Sequence, residues 1–131
     1  MKIAPDTNIL VRILTNDDPA QAEIGRRCLA EADAIMLSMP ALCEAAWVLK
    51  RFFGASRDEI GLAIRALVGA HNAVFDTTAV AAGLNVLDAG GDFADGVIAA
   101  SGVAMGADAF VSFDKKAVRL LSDAGLSTRL L

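Results

Sequence analysis

Short apolar runs alternate with segments of helical character along the chain, and this alternation restricts the fold more than any other feature of the sequence. The runs lie at residues 2–6, 34–38, 73–76, 109–113 and 126–131. Strands that alternate with helices predict a parallel sheet whose faces are covered by helices. We therefore expect an α/β protein, in which ligands bind beyond the carboxyl ends of the strands.

Helix-capping residues set the predicted helix boundaries. Asp17 or Asp18 before Pro19 indicates a helix start, since an acidic N-cap is often followed by proline at the first helical position. Ser56 with Glu59 three residues later has the pattern of a capping box. The predicted helices cover residues 7–14, 19–32, 40–53, 56–69, 77–89, 92–105 and 115–123.

Composition favours one well-packed domain over residues 1–131, because 55% of the residues are hydrophobic. No apolar run reaches the roughly 18–20 residues that a membrane-spanning helix needs. The N-terminal segment reaches Asp6 and a polar turn too early for a signal peptide. We therefore expect a cytoplasmic protein that does not contact a membrane.

The cysteine and histidine content disfavours a zinc site and a catalytic triad. Cys28 and Cys43 are the only cysteines, and neither has a second Cys or His at ligand spacing. Two buried free thiols in a reducing compartment are the expected state. The single histidine, His71, lies in a predicted loop, where a turn residue is a better interpretation than a catalytic base.

The net charge of −4 does not favour a nucleic-acid-binding protein, which normally carries a basic surface. The objection weakens if several acidic residues surround metal ions. The basic residues are explained equally well by ordinary solvated helix faces and by a nucleic-acid-binding rim. The candidates for such a rim are Arg12, Lys50, Arg51, Lys115, Lys116 and Arg119.

Four acidic residues interrupt otherwise apolar segments: Asp6, Glu44, Asp95 and Asp114. Buried carboxylates are costly in isolation, so such groups usually share a partner. A divalent cation with oxygen ligands is the simplest shared partner. Asp6 and Asp114 end predicted strands, so both are expected at the same edge of a parallel sheet.

Each acid also has a structural interpretation. Asp6, Asp92 and Asp114 could cap helices. Glu44 could be an ordinary solvent-facing residue, because helical periodicity predicts an inward stripe on the other side of its helix, formed by Leu42, Ala45, Ala46, Leu49 and Phe53. Asp95 is the only charge in the body of its predicted helix, which capping explains less well. Taken together, four adjacent carboxylates would repel one another unless cations neutralised them. Two divalent ions at such a site would suit the hydrolysis of phosphodiesters.

Four segments resemble the PIN-domain ribonucleases, specifically the VapC-type toxins of toxin–antitoxin pairs. They are DTNILVRILTNDDPAQ (6–21), PALCEAAWVLKR (40–51), GGDFADGVIAA (90–100) and FVSFDKKAVRLL (110–121). The resemblance implies an α/β/α sandwich around a central, mostly parallel sheet of four to five short strands. It also implies Mg²⁺- or Mn²⁺-dependent cleavage of RNA by an endoribonuclease.

The resemblance assigns roles to individual residues. The acids that would bind metal and carry catalysis fall on Asp6, Glu44, Asp95 and Asp114. Asn8 matches a polar residue that supports the first acid, and an amide hydrogen bond from Asn8 could orient the Asp6 carboxylate. Ser112 matches a hydroxyl residue two positions before the last acid. Asp92 matches a second, accessory acid.

The resemblance further implies a homodimer and a small antitoxin protein that blocks the cleft. Among the basic residues, Arg12 and Lys115 are the candidates for contact with the RNA backbone. The sequence departs from the family pattern at Pro5, in place of an apolar strand residue, and at Gly96, in place of Ala. Both departures change local geometry and leave every predicted ligand in place.

Two other functions fit part of the pattern. A phosphohydrolase could use Asp6 as its nucleophile, although that chemistry typically needs a second acid two residues later, where this chain has Asn8. A non-catalytic PIN-like binding module would use the acids only as helix caps.

Overall fold

The computed structural model describes residues 1–131 and divides the chain into two compact units, Met1–Asp76 and Thr77–Leu131. The first unit contains β1 (Lys2–Ile3), α1 (Thr7–Thr15), α2 (Pro19–Glu31), β2 (Ala34–Met36), α3 (Met39–Phe53), α4 (Arg57–Val68) and β3 (Ala73–Val74). The second unit contains α5 (Thr77–Asp88), α6 (Phe93–Ala104), β4 (Phe110–Ser112), α7 (Lys115–Asp123) and β5 (Thr128–Leu130).

All strand pairs are parallel. In the first unit the order is β1-β2-β3, with Ile35 opposite Ile3 on one side and Ala73 on the other. In the second unit β4 pairs with β5, and Val111 lies opposite Arg129. The predicted α/β fold with short parallel strands is confirmed. The strands form a three-stranded and a two-stranded sheet, whereas the sequence predicted one central sheet.

Side-chain caps explain where most helices begin. The Asp18 carboxylate accepts a hydrogen bond from the Gln21 N–H at 3.1 Å at the start of α2. The Ser38 hydroxyl accepts one from the Ala41 N–H at 3.3 Å at the start of α3. At the other end of α3, Gly54 has φ 62, a left-handed conformation that glycine adopts at little cost. The helix boundaries therefore agree closely with those predicted.

The strands are shorter than predicted, most clearly at the N-terminus. The prediction extended the first strand over residues 2–6, whereas β1 ends at Ile3. Pro5 has no N–H to donate to a sheet, and Asp6 already caps the following helix. Local chemistry at these two residues therefore stops the strand early.

Each unit buries its own large apolar side chains. Leu10, Leu42 and Ile64 are fully buried on α1, α3 and α4 of the first unit. Phe93 and Leu121 are fully buried on α6 and α7 of the second. No helix is both long enough and apolar enough to cross a membrane.

The residues considered for redox or triad chemistry have ordinary surroundings. Cys28 and Cys43 are free thiols, as predicted, but the prediction that both are buried is wrong, since Cys28 is exposed and Cys43 is half-buried. Burial raises the pKa of the Cys43 thiol, which keeps it protonated. His71 is exposed and lies in a turn, as predicted.

The capping box of α4 gives a stability prediction. The Ser56 hydroxyl accepts the Glu59 N–H at 3.1 Å, and the Glu59 carboxylate accepts the Ser56 N–H at 3.0 Å. We expect Ser56→Ala to lower the free energy of unfolding by about 1 kcal/mol in chemical denaturation, because one helix-terminal N–H loses its acceptor. Ser56→Asp, which keeps a capping oxygen, is the control. An unchanged midpoint in Ser56→Ala would contradict the role of the cap.

The same box predicts a pH dependence. The hydrogen bonds from Ser56 lower the pKa of Glu59 below its ordinary value of 4.5. Because the pKa is lowered in the folded state, the stabilisation is present above pH 4.5 and is lost as the pH falls through the folded-state pKa. The stability difference between the parent protein and Glu59→Gln should therefore shrink on acidification. A difference that is constant between neutral and strongly acidic pH would contradict this.

Candidate functional site

Asp6 is exposed at the N-cap of α1. One carboxylate oxygen accepts a hydrogen bond from the Ile9 N–H at 3.0 Å, and the second oxygen makes no hydrogen bond to the protein. Asn8 is also exposed and does not donate to Asp6, so the predicted hydrogen bond between them is absent. The accessory role of Asn8 remains a prediction.

Glu44 lies on the outward face of α3. Leu42, Ala45, Ala46 and Leu49 are all buried and form the inward stripe of that helix, as predicted. Phe53, which was predicted in the same stripe, is exposed at the end of the helix. The Glu44 side chain is exposed and makes no hydrogen bond or ion pair. Nothing within the protein neutralises this carboxylate, so it can serve as an oxygen ligand.

Asp92 and Asp95 lie at the start of α6. Asp92 occupies the N-cap position, but its side chain makes no capping hydrogen bond, which corrects the interpretation of Asp92 as a side-chain cap. The backbone carbonyl of Asp92 accepts the Asp95 N–H at 3.1 Å instead. Asp95 is half-buried in the first turn. Side-chain capping of α6 therefore does not account for the Asp92 carboxylate.

The first turn of α6 approaches α5 very closely. A Cβ on Gly96 would clash with the backbone oxygen of Ala82 and would lie 2.7 Å from the Ala82 carbonyl carbon and from the Gly83 Cα. Only glycine fits at this crossing. Gly96, where the family pattern has Ala, therefore allows the backbone next to Asp95 to lie this close to α5.

Asp114 and Ser112 form the turn between β4 and α7. One Asp114 oxygen accepts the N–H groups of Lys116 at 2.9 Å and Ala117 at 3.1 Å, and the other oxygen makes no hydrogen bond to the protein. The Ser112 hydroxyl accepts the Asp114 N–H at 2.9 Å. Ser112 thus fixes the backbone of the acid, which gives its predicted accessory position a structural basis.

The two residues predicted to contact RNA differ in their surroundings. Arg12 donates to Asp17 at 2.5 Å and to Gln21 at 3.0 Å, so its guanidinium links α1 to the start of α2. Lys115 is exposed at the first position of α7. Both RNA contacts remain predictions.

The four predicted ligands supply the right donor chemistry for a hard divalent cation. All are carboxylates, and Mg²⁺ and Mn²⁺ prefer carboxylate oxygens. Asp6 and Glu44 belong to the first unit, and Asp95 and Asp114 belong to the second. Neither unit by itself brings three or more Asp, Glu, His or Cys side chains into a group that could hold a metal ion.

One surface feature had no assignment from the sequence. Trp47 and Phe52 on α3 are 57% and 66% exposed, and their ring centroids lie 5.6 Å apart in an edge-to-face arrangement. The Arg51 guanidinium carbon lies 5.5 Å from the Phe52 ring centroid. The WVLKRFF segment contains this signal, but apolar periodicity alone did not show that the rings are exposed.

Comparison with known proteins gives one family. The chain matches the PIN domain over residues 3–121, a range that includes all four predicted ligands. A search of curated proteins found no match to the chain.

Proposed function

Because this chain belongs to the PIN domain family, whose members are generally metal-dependent nucleases, we propose that it is an Mg²⁺- or Mn²⁺-dependent endoribonuclease. The observation that carries the proposal is the family match over most of the chain, with the four carboxylates inside the matched range. Hydrolysis of RNA phosphodiester bonds is the reaction that such a ligand set supports best.

The proposed site uses the four carboxylates Asp6, Glu44, Asp95 and Asp114 as ligands of one or two ions. A bound Mg²⁺ would supply Lewis-acid activation of water and of the phosphate. In Asp6 and Asp114 a backbone N–H holds one oxygen, which orients the side chain and leaves the other oxygen for a ligand. Glu44 adds an unpaired carboxylate from α3. Asn8, Asp92 and Ser112 would be accessory, and Ser112 acts through the backbone of Asp114.

We further propose that the protein is the toxin of a toxin–antitoxin pair and acts in the cytoplasm. Its partners would be an RNA substrate, a cognate antitoxin protein that blocks the site, and a second copy of the chain in a homodimer. The support for this is the likeness of the four sequence segments to VapC-type toxins.

A non-catalytic binding module is the second candidate, and a specific observation favours it. Asp6 and Asp114 both form helix caps, and this structural role alone would account for an acid at each position without any catalysis. Asparagine caps helices about as well as aspartate, so a change of Asp to Asn separates the two functions.

The test compares RNA cleavage by the purified protein, freed of any antitoxin, with cleavage by Asp6→Asn and Asp114→Asn. We expect each variant to keep its melting temperature, since the cap is preserved, and to lose cleavage by about 100-fold or more, since a metal-binding charge is removed. Asp18→Asn is the matched control, because Asp18 caps α2 in the same way and lies outside the proposed ligand set.

Undiminished cleavage in Asp6→Asn and Asp114→Asn would reject the ligand assignment. Absence of Mg²⁺- or Mn²⁺-dependent cleavage by the unaltered protein would favour the binding module. Equal losses in all three variants would indicate a stability effect instead of catalysis.

A further inference from the structure

Glu44, Trp47 and Arg51 form a stripe along the outward face of α3. With 3.6 residues per turn, Trp47 lies about 60° and Arg51 about 20° around the helix axis from Glu44. Leu42 and Leu49, which are buried, lie on the opposite side. The rise of 1.5 Å per residue puts Trp47 about 4.5 Å and Arg51 about 10.5 Å along the axis from Glu44. A proposed metal ligand, an aromatic ring and a cation thus follow one another within three helical turns.

The aromatic ring of the stripe, that of Trp47, contacts a second exposed ring on the same helix. Phe52 packs edge-to-face with Trp47, and the Arg51 guanidinium lies over the Phe52 ring. Trp47 nevertheless keeps more than half of its surface in solvent, at 57% exposure. An exposed tryptophan offers a large stacking face at low cost in conformational entropy, because its side chain has only two rotatable bonds.

Charge favours a nucleic acid as the occupant of this surface. Arg51 makes no ion pair with an acidic side chain, so its charge is not neutralised within the protein. Exposed aromatic rings beside unneutralised basic groups are the usual elements of single-strand binding, in which bases stack and phosphates meet the cation. On a protein of net charge −4, Arg51 supplies a local positive charge that an anionic ligand can meet.

We infer that Trp47 and Arg51 of this stripe form a nucleotide subsite that positions single-stranded RNA relative to Glu44. A base stacks on Trp47, and a neighbouring phosphate lies at Arg51. The inference rests on the proposed nuclease function and adds a preference for unpaired RNA. A base inside a duplex already stacks on its neighbours, so it cannot offer a free face to Trp47.

Trp47 is the only tryptophan in the chain, so its fluorescence reports on this subsite alone. The first experiment titrates the full-length Asp6→Asn variant with a short single-stranded oligoadenylate, because this variant should bind RNA without cutting it. We expect quenching of the emission. An oligonucleotide of the same length that lacks bases, and a duplex RNA, should leave most of the emission unchanged.

The second experiment measures cleavage and binding of the same single-stranded RNA by stripe variants in the otherwise unaltered protein. Trp47→Ala should weaken binding about 5- to 100-fold, while Trp47→Phe should retain most of the affinity. Arg51→Gln should lower the slope of log affinity against log salt by about 0.7. Leu62→Ala is the control, because Leu62 is an exposed apolar residue of α4 outside the stripe, at 69% exposure.

The outcomes separate this inference from the proposed function. Suppose that the parent protein and Trp47→Ala cleave RNA equally well with metal, and that RNA does not quench the Trp47 emission. This result would overturn the subsite and leave the proposed nuclease function intact. Quenching by RNA without cleavage would support the subsite and reject the nuclease. If the Trp47 emission shifts with protein concentration and not with added RNA, the stripe lies in a contact between two copies of the chain. This result also overturns the inference.

Discussion

Gly96→Ala is expected to destabilise the second unit by about 3 kcal/mol or more. The added methyl group would meet the Ala82 carbonyl and would lie 2.7 Å from the Gly83 Cα, and both belong to the backbone of α5. A side chain could rotate away, but a backbone cannot, so α5 and α6 must separate. Such separation would expose Phe93, whose ring lies against Gly83. The melting temperature should fall on the order of 10 °C.

Gly102→Ala is the matched control on the same helix. A Cβ there has its nearest neighbour at 3.9 Å, the Ala107 methyl group, which is an ordinary van der Waals distance. Alanine also favours a helix over glycine by up to about 1 kcal/mol, so this variant should be equal to or more stable than the parent. Equal stability of the two variants in urea denaturation would contradict the close approach of α5 and α6.

Removal of divalent metal is expected to have the largest effect on activity. Chelation should lower RNA cleavage on the order of a thousandfold, since a bound ion contributes several kcal/mol to stabilising the transition state. Added Mg²⁺ or Mn²⁺ should restore cleavage. Because the ion binds the folded state, Mn²⁺ at about 100 times its dissociation constant should also raise the unfolding free energy by about 2.7 kcal/mol.

A double variant, Asp6→Asn with Asp114→Asn, makes the metal prediction specific. It should keep both helix caps and lose the stabilisation by Mn²⁺, whereas Asp18→Asn should keep it. Cleavage that survives exhaustive chelation would contradict the proposed chemistry. Equal stabilisation of the parent protein and the double variant by Mn²⁺ would show that the ion binds elsewhere.

Features that depend on neighbours in the sequence were predicted best. The start of α4 follows from Ser56 and Glu59, which bond to each other's backbone three residues apart. Predictions about individual polar contacts were weaker. The Asn8 amide does not donate to Asp6, whose carboxylate accepts the Ile9 N–H instead, and residue spacing does not show which donor the carboxylate takes. Strand lengths were overestimated, because a strand ends where its partner strand stops pairing with it.

Sequence alone determined the alternation of helices with parallel strands, the helix caps and the inward stripe of α3, because each follows from hydrogen bonds or periodicity within a few residues. Tertiary structure decided which outward faces stay uncovered. Trp47 and Phe52 have the same apolar character as the core residues, and they are exposed because no distant segment packs over them. The tertiary structure also explains why position 96 is glycine, because the Ala82 carbonyl that excludes a methyl group belongs to another helix.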